Sequence, residues 1–221
     1  GMNVTLIDRL GPAEAASFGN GGVLASCAVV PVPVPGLLAQ APSYLVNPDK
    51  PLFLKWGYLP KLAPWLLRYL SHANDRDARA TARALTSIIG DSLADHQALA
   101  DGSSAARYIK PCDFVYVYKN RRAFERDSYT YDVKRENGFS WTEYDGAALH
   151  EYDPSLIGDL GFGAAFGNHG MITDPGAYVK TLAADVTAKG GTVLRADVTD
   201  IIHENGKVTG LYTDGQMLPC D

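Results

Sequence analysis

The chain has 221 residues, 46% of them hydrophobic and 20% charged, with a formal net charge of −5 at pH 7. That is the composition of a globular protein long enough to bury a sizeable core, as one large domain or two small ones. Interspersed charges with an acidic balance argue against a nucleic-acid partner, the spacing of Cys27, Cys112 and Cys220 matches no metal site and reads as thiols of a reducing, cytoplasmic compartment, and no apolar run reaches the length of a membrane span.

Val4-Thr5-Leu6-Ile7 is a short apolar, β-branched run that Asp8 ends and Gly11-Pro12 breaks, so a buried strand is predicted. Small residues follow from Ala13 to Gly22, a stretch that lets the backbone come close to a neighbour. Val29 to Pro35 alternates valine and proline and reads as an extended connector or an edge. Leu59, Leu62, Leu66 and Leu70 recur at helical spacing between Trp56 and His72, with Pro60 and Pro64 obscuring the helix start. Asp75 to Ala100 reads as one helix, with Leu85, Ile88, Ile89, Leu93 and Leu99 on one face and Arg76, Arg79 and Arg83 solvated.

Phe114 to Tyr118 is a predicted strand, and Arg121 to Asn137 a helix ended by Gly138. Trp141 to Tyr144 reads as a short strand, Asp145 to Asp153 as a helical turn stopped by Pro154, and Gly161 to Phe166 as a glycine-softened strand. Asp174 then caps a helix that has Pro175 at its first position and closes at Gly190-Gly191. Strands are predicted at Thr192 to Leu194, Val198 to His203 and Lys207 to Thr213, the last two joined by a tight Asn205-Gly206 hairpin. Asp214-Gly215 turns into a further strand at Met217-Leu218.

A strand ending in a carboxylate is, alone, most simply a solvated strand end. In dinucleotide-binding folds, however, the carboxylate at the end of the second strand accepts hydrogen bonds from the adenosine ribose. Here Asp8 is followed by Ser17-Phe18-Gly19-Asn20-Gly21-Gly22, at a distance suited to a loop passing a phosphate and then a flavin ring. With Ile7-Asp8-Arg9, this stretch resembles the second strand and flavin loop of the D-amino-acid dehydrogenase and glycine oxidase (DAO-like) family of FAD-dependent oxidoreductases. The resemblance resumes at Met171 to Tyr178 and in the hairpin from Thr192 onward, while Leu54 to Tyr69 and Tyr116 to Tyr118 match loosely.

The resemblance implies roles for particular residues. Asp8 would hold the ribose hydroxyls and Arg9 would lie beside the adenine. Ser17 and the backbone of Gly19, Asn20, Gly21 and Gly22 would approach the pyrophosphate and the isoalloxazine. Val198 would offer backbone groups to the adenine edge. It also implies the fold: α/β, with a partial Rossmann-like FAD-binding domain from residues 2–25 and 175–221, and an α+β, mixed-sheet substrate-binding domain from residues 26–174. The implied chemistry is oxidative deamination of a D-amino acid or related amine. Hydride passes from the substrate α-carbon to the flavin, and water hydrolyses the resulting imine to a keto acid and ammonia.

Two departures from the family pattern qualify this. Its G-x-G-x-x-G turn lies roughly thirty residues before the acidic residue, within one βαβ unit, and only a handful of residues precede Asp8 here. The family also continues past Asp221. The expectations are therefore an interior slice, inactive alone, with weak or absent FAD binding and self-association through the edge of Val4 to Ile7. No residue stands out as a catalytic acid or base. A membrane-peripheral position is the family's alternative to a free cytoplasmic one. The competing reading is a non-catalytic remnant or interaction module that keeps the substrate-domain fold without flavin.

His169 with Asp174 forms a conceivable acid/base pair, but Asp174 already has a capping role. Tyr116 and Tyr118 lie on one strand face and either line a substrate cavity or pack with satisfied hydroxyls, the latter being favoured. No Ser/His/Asp hydrolase motif, P-loop or zinc spacing is present.

Overall fold

The computed structural model describes residues 3–37, 56–156 and 158–220. The beginning of the Leu54 to Tyr69 likeness lies outside the described residues. The architecture is mixed α and β. In chain order the elements are β1 (Thr5–Asp8), β2 (Val23–Leu24), α1 (Leu59–Ser71), α2 (Asp75–Ile89), α3 (Ser92–Ala100), β3 (Ile109–Tyr118), α4 (Arg121–Glu125), α5 (Ser128–Glu136), β4 (Thr142–Asp145), α6 (Gly146–Tyr152), β5 (Phe162–Ile172), α7 (Pro175–Ala188), β6 (Thr192–Arg195), β7 (Val198–Glu204), β8 (Lys207–Thr213) and β9 (Gln216–Pro219). They form two compact units: Gly1–Leu24 with Leu93–Pro111 and Gly170–Asp221, and Ala25–Ser92 with Cys112–His169.

In the first unit β1 and β6 run parallel, with Asp8 opposite Arg195. The helix feeding β6 starts as expected, because Asp174 Oδ1 accepts the Ala177 N–H at 2.8 Å and Pro175 occupies the first turn. Its Tyr178 packs with Leu24, Ala100, Ala105 and Ile172, and the Tyr178 hydroxyl meets His96 Nδ1 at 3.0 Å. These contacts hold Leu93–Pro111 in this unit, although the sequence places that segment with the interior domain. β7, β8 and β9 form an antiparallel meander. Its two hairpin turns have left-handed backbone at Asn205-Gly206 and Asp214-Gly215, as such tight turns require.

The second unit is built on an aromatic core. Phe124, Tyr131, Phe162 and Phe166 are buried with Cys27, and Phe114, Tyr116, Tyr118, Phe139 and Trp141 pack around them. β5 is longer than the sequence predicts because its glycines admit neighbours. A Cβ at Gly163 would stand 2.6 Å from a Leu149 methyl. β3 likewise begins earlier than predicted, at Ile109. It ends the sheet order β2-β5-β3, and an edge strand tolerates the missing N–H of Pro111.

The helix predicted over Asp75 to Ala100 is two helices. Gly90 closes the first with its N–H on Thr86 O at 2.9 Å, and Ser92 Oγ donates to Ile89 O at 2.6 Å. The break carries the chain from one unit to the other, so the predicted apolar face is divided. Leu85 and Ile89 pack against Val29, Ala82 and Val133, Leu93 joins the Tyr178 cluster, and Ile88 and Leu99 are exposed. The helix predicted over Arg121 to Asn137 also divides, where Asp127 turns its carboxylate to the Tyr118 hydroxyl at 3.1 Å. Of the three arginines read as solvated, Arg79 is anchored by Asp75 and Glu136 and lies over the Tyr129 ring.

Candidate functional site

The predicted site residues divide into two groups. Asp8 ends β1, where the following residues fold back as a turn. Its Oδ1 accepts the N–H groups of Leu10 at 2.9 Å and Gly11 at 2.7 Å, an arrangement aspartate favours after a strand. One carboxylate oxygen is thereby fixed and the other has no protein partner among the described residues. A cavity of about 380 Å³ opens beside it, lined by Asp8, Arg9, Asp197 and Val198 among others, within the size range of small-molecule sites. Arg9 pairs with Asp197 at 3.0 Å and its carbonyl accepts from Arg195 Nε at 3.3 Å. A neighbouring cavity of about 340 Å³ is lined by Asp8, Ser17 and small residues including Ala13 and Ala16. Asp8, Arg9, Ser17 and Val198 thus surround the end of β1.

Gly19, Asn20, Gly21 and Gly22 line neither cavity. The first three are exposed, and a Cβ at Gly19 or Gly21 would meet nothing within 4 Å. Asn20 Oδ1 accepts the Gly22 N–H at 2.8 Å. Gly22 is buried with φ +67°, and a Cβ there would stand 2.1 Å from Ile172 O. The protein's own backbone therefore accounts for that glycine.

His169 and Asp174 each have separate partners. His169 Nδ1–H donates to Gly167 O at 2.7 Å, which leaves Nε2 to accept the Cys27 N–H at 2.9 Å. Both ring nitrogens are thereby engaged, and Asp174 caps α7. Tyr116 and Tyr118 belong to the packed core, where the Tyr118 hydroxyl reaches Asp127 and Tyr131 at 3.1 and 3.0 Å. Burial pushes the Tyr118 hydroxyl up to about 12 and Tyr116 and Tyr131 also upward.

Sequence reasoning missed Lys134. This lysine is buried, and its Nζ lies 3.7 Å from the Tyr116 ring centre, 4.8 Å from Phe166 and 5.1 Å from Tyr131. Three electron-rich faces substitute for water around the ammonium. Burial pushes its pKa down against the opposing pull of Cys27 and Asp127, and pushes the Cys27 thiol up. Nothing in Ser128 to Asn137 distinguishes this lysine from an exposed one, because the rings that cage it come from two strands as well as its own helix. Among the described residues no group of His, Cys, Asp and Glu could hold a metal ion, and no helix is long and apolar enough to cross a membrane.

A parallel β1–β6 pair joined to a strand-end carboxylate with an open oxygen is the kind of arrangement that dinucleotide-binding folds place at the ribose. The chain belongs to the DAO family of FAD dependent oxidoreductases, whose model matches residues 1–219. It is 33% identical over 224 residues to the D-amino-acid oxidase of Bradyrhizobium diazoefficiens, covering 100% of this chain and 53% of that protein. It is 37% identical over 130 residues to D-amino acid dehydrogenase 2 of Ralstonia nicotianae, covering 56% of this chain and 30% of that one. Its fold is that of glycine oxidase from Bacillus cereus, with a TM-score of 0.56 at 19% identity, over 100% of this chain and 48% of that one. The chain spans about half the length of the D-amino-acid oxidase.

Proposed function

We propose that this chain belongs to an enzyme that oxidises a D-amino acid or related amine, and that it supplies the adenosine end of the FAD site. Residues 2–25 and 175–221 would then be its part of the FAD-binding domain, with Leu93–Pro111 packed in the same unit, and the rest of residues 26–174 its substrate-binding domain. The observation that carries the reading is the open oxygen of Asp8 beside a cavity shared with Arg9 and Val198. The 33% identity to a D-amino-acid oxidase supports the substrate class. Bound FAD supplies the hydride acceptor for C–N oxidation. The chain's own part is positional: Asp8 accepts from the ribose hydroxyls, Arg9 flanks the adenine, and Ser17 lies on the path toward the diphosphate. The free cysteines Cys112 and Cys220, both exposed, support a reducing compartment.

The contacts available around Asp8 serve the nucleoside, so the 221-residue chain by itself is expected to bind FAD weakly and to be inactive. No lysine or arginine lines the cavity beside Ser17, and each charge-assisted contact to a diphosphate is worth about 1.5–3 kcal/mol. Fluorescence titration of FAD onto the purified chain should show weak binding, with no flavin retained on gel filtration. Stoichiometric FAD after gel filtration would contradict that division of labour. The activity itself is tested on the full-length protein containing this chain: D-amino acids should reduce its flavin anaerobically, and a flavin that stays oxidised with every D-amino acid and related amine tried would overturn the assignment.

A further inference from the structure

We infer that Asp197 is a specificity-determining residue of the cavity at the end of β1, a claim that rests on the adenosine reading proposed above. By holding Arg9, it fits the cavity to a nucleoside with a free ribose and closes it to one that carries a 2′-phosphate.

The backbone brings the charged groups of this wall together. β1 and β6 run parallel with Asp8 opposite Arg195, and the Ala196 N–H donates to Asp8 O at 3.2 Å. Arg9 follows β1, and Asp197 lies in the link between β6 and β7, so the two side chains meet across the strand ends. Arg9 Nη2 stands 3.0 Å from Asp197 Oδ1. Asp8, Arg9 and Asp197 are the charged residues lining the cavity, and its other walls are aliphatic. Arg195 donates from Nε to Arg9 O at 3.3 Å and does not line it. The wall therefore holds two carboxylates and one guanidinium, whose charge one of the carboxylates already balances. Both partners of the ion pair are more than half exposed, at 69% and 53%, so the pair contributes little to stability. Its consequence lies in the charge that the cavity offers to a ligand.

In dinucleotide sites a carboxylate accepts from the hydroxyls of a free ribose, whereas a nearby arginine receives a 2′-phosphate. This cavity has a residue of each kind, so Asp8 and Arg9 do not by themselves decide between the two ligands. Asp197 does. While it is paired, Arg9 brings no net charge to the ribose, and a phosphate would meet the open oxygen of Asp8. Without the Asp197 charge, the planar fork of Arg9 N–H donors becomes free to take a phosphate.

The test is a titration of the chain at low ionic strength with adenosine 5′-monophosphate and with adenosine 2′,5′-bisphosphate, followed at the amides of Leu10, Ala196 and Val198. The wild type should bind the monophosphate more tightly. Asp197→Asn keeps an oxygen that can accept from Arg9 and removes the charge. It should move the ratio of the two affinities toward the bisphosphate by about fivefold. Arg9→Met in the Asp197→Asn background should abolish that gain, and added salt should shrink it. A purely structural role for Asp197 would weaken both nucleotides alike and leave the ratio unmoved, which overturns the inference. A gain that survives Arg9→Met overturns it as well, because the effect would then belong to the field of the whole protein. If the monophosphate gives no saturable shift at the three amides, the adenosine reading itself falls and this inference falls with it.

Discussion

At the end of β1 a carboxylate, Asp8, spends one oxygen on its own turn and leaves the other open to a cavity. In the second unit an ammonium, Lys134, is enclosed by Tyr116, Tyr131 and Phe166 and is only 2% exposed. Both are single charges without an ion-pair partner among the described residues, yet they do different work. The first keeps unfilled hydrogen-bonding capacity where a ligand can reach it, so its loss should be felt in binding. The second is surrounded on the protein's own terms, so its loss should be felt in how stability depends on pH.

The sharpest way to break the contrast is to open the core. Phe166→Ala removes a ring that packs on Tyr116, Tyr131 and Lys134, and should cost about 3–5 kcal/mol in urea unfolding. A loss below about 1 kcal/mol would show that the core is not closely packed there. Gly22→Ala comes next. It forces a side chain into left-handed backbone and against Ile172 O, a strain of about 1–3 kcal/mol before the clash is counted.

Lys134→Met probes the enclosed charge directly. At pH 7 the variant should lie within about 2 kcal/mol of the wild type, because desolvation and the three aromatic faces oppose each other. The folded pKa lies below the ordinary 10.5, so the folded state sheds its proton before the unfolded state as pH rises. Wild-type stability relative to Met should therefore increase with pH through the window beneath 10.5. A gap that stays flat over that window would contradict a depressed lysine. A smaller effect is expected of Asp174→Ala, which removes only the α7 cap and should cost about 1 kcal/mol in thermal unfolding.

Local signals made much of the fold legible. Asp174-Pro175 starts α7, and Asn205-Gly206 turns β7 into β8, because each depends on a few adjacent residues. The single helix expected over Asp75 to Ala100 failed because the turn of periodicity at Gly90 reflects which unit each half packs into, a long-range fact. Around β1 the strand-end carboxylate Asp8 is a local pattern, whereas Arg9, Ser17 and Val198 came only with the family resemblance; Asp8 shares one cavity with Arg9 and Val198 and a neighbouring one with Ser17. The sequence also singled out Gly19 to Gly22, but a glycine's need for room does not say what fills that room, and at Gly22 it is Ile172. The lysine cage and the unpaired Ser26 hydroxyl left no trace in spacing, since their surroundings come from distant strands and helices.

The central claim is that Asp8 serves a nucleoside, and Asp8→Asn tests it most directly. Asparagine keeps the oxygen that accepts from Leu10 and Gly11, and replaces the open oxygen with a donor. Titrating the chain with ADP by amide NMR should give saturable shifts at Leu10, Ala196 and Val198, and Asp8→Asn should weaken that binding by about tenfold while leaving unfolding unchanged. ADP shifts confined to other residues, or equal affinity in the two proteins, would contradict the account.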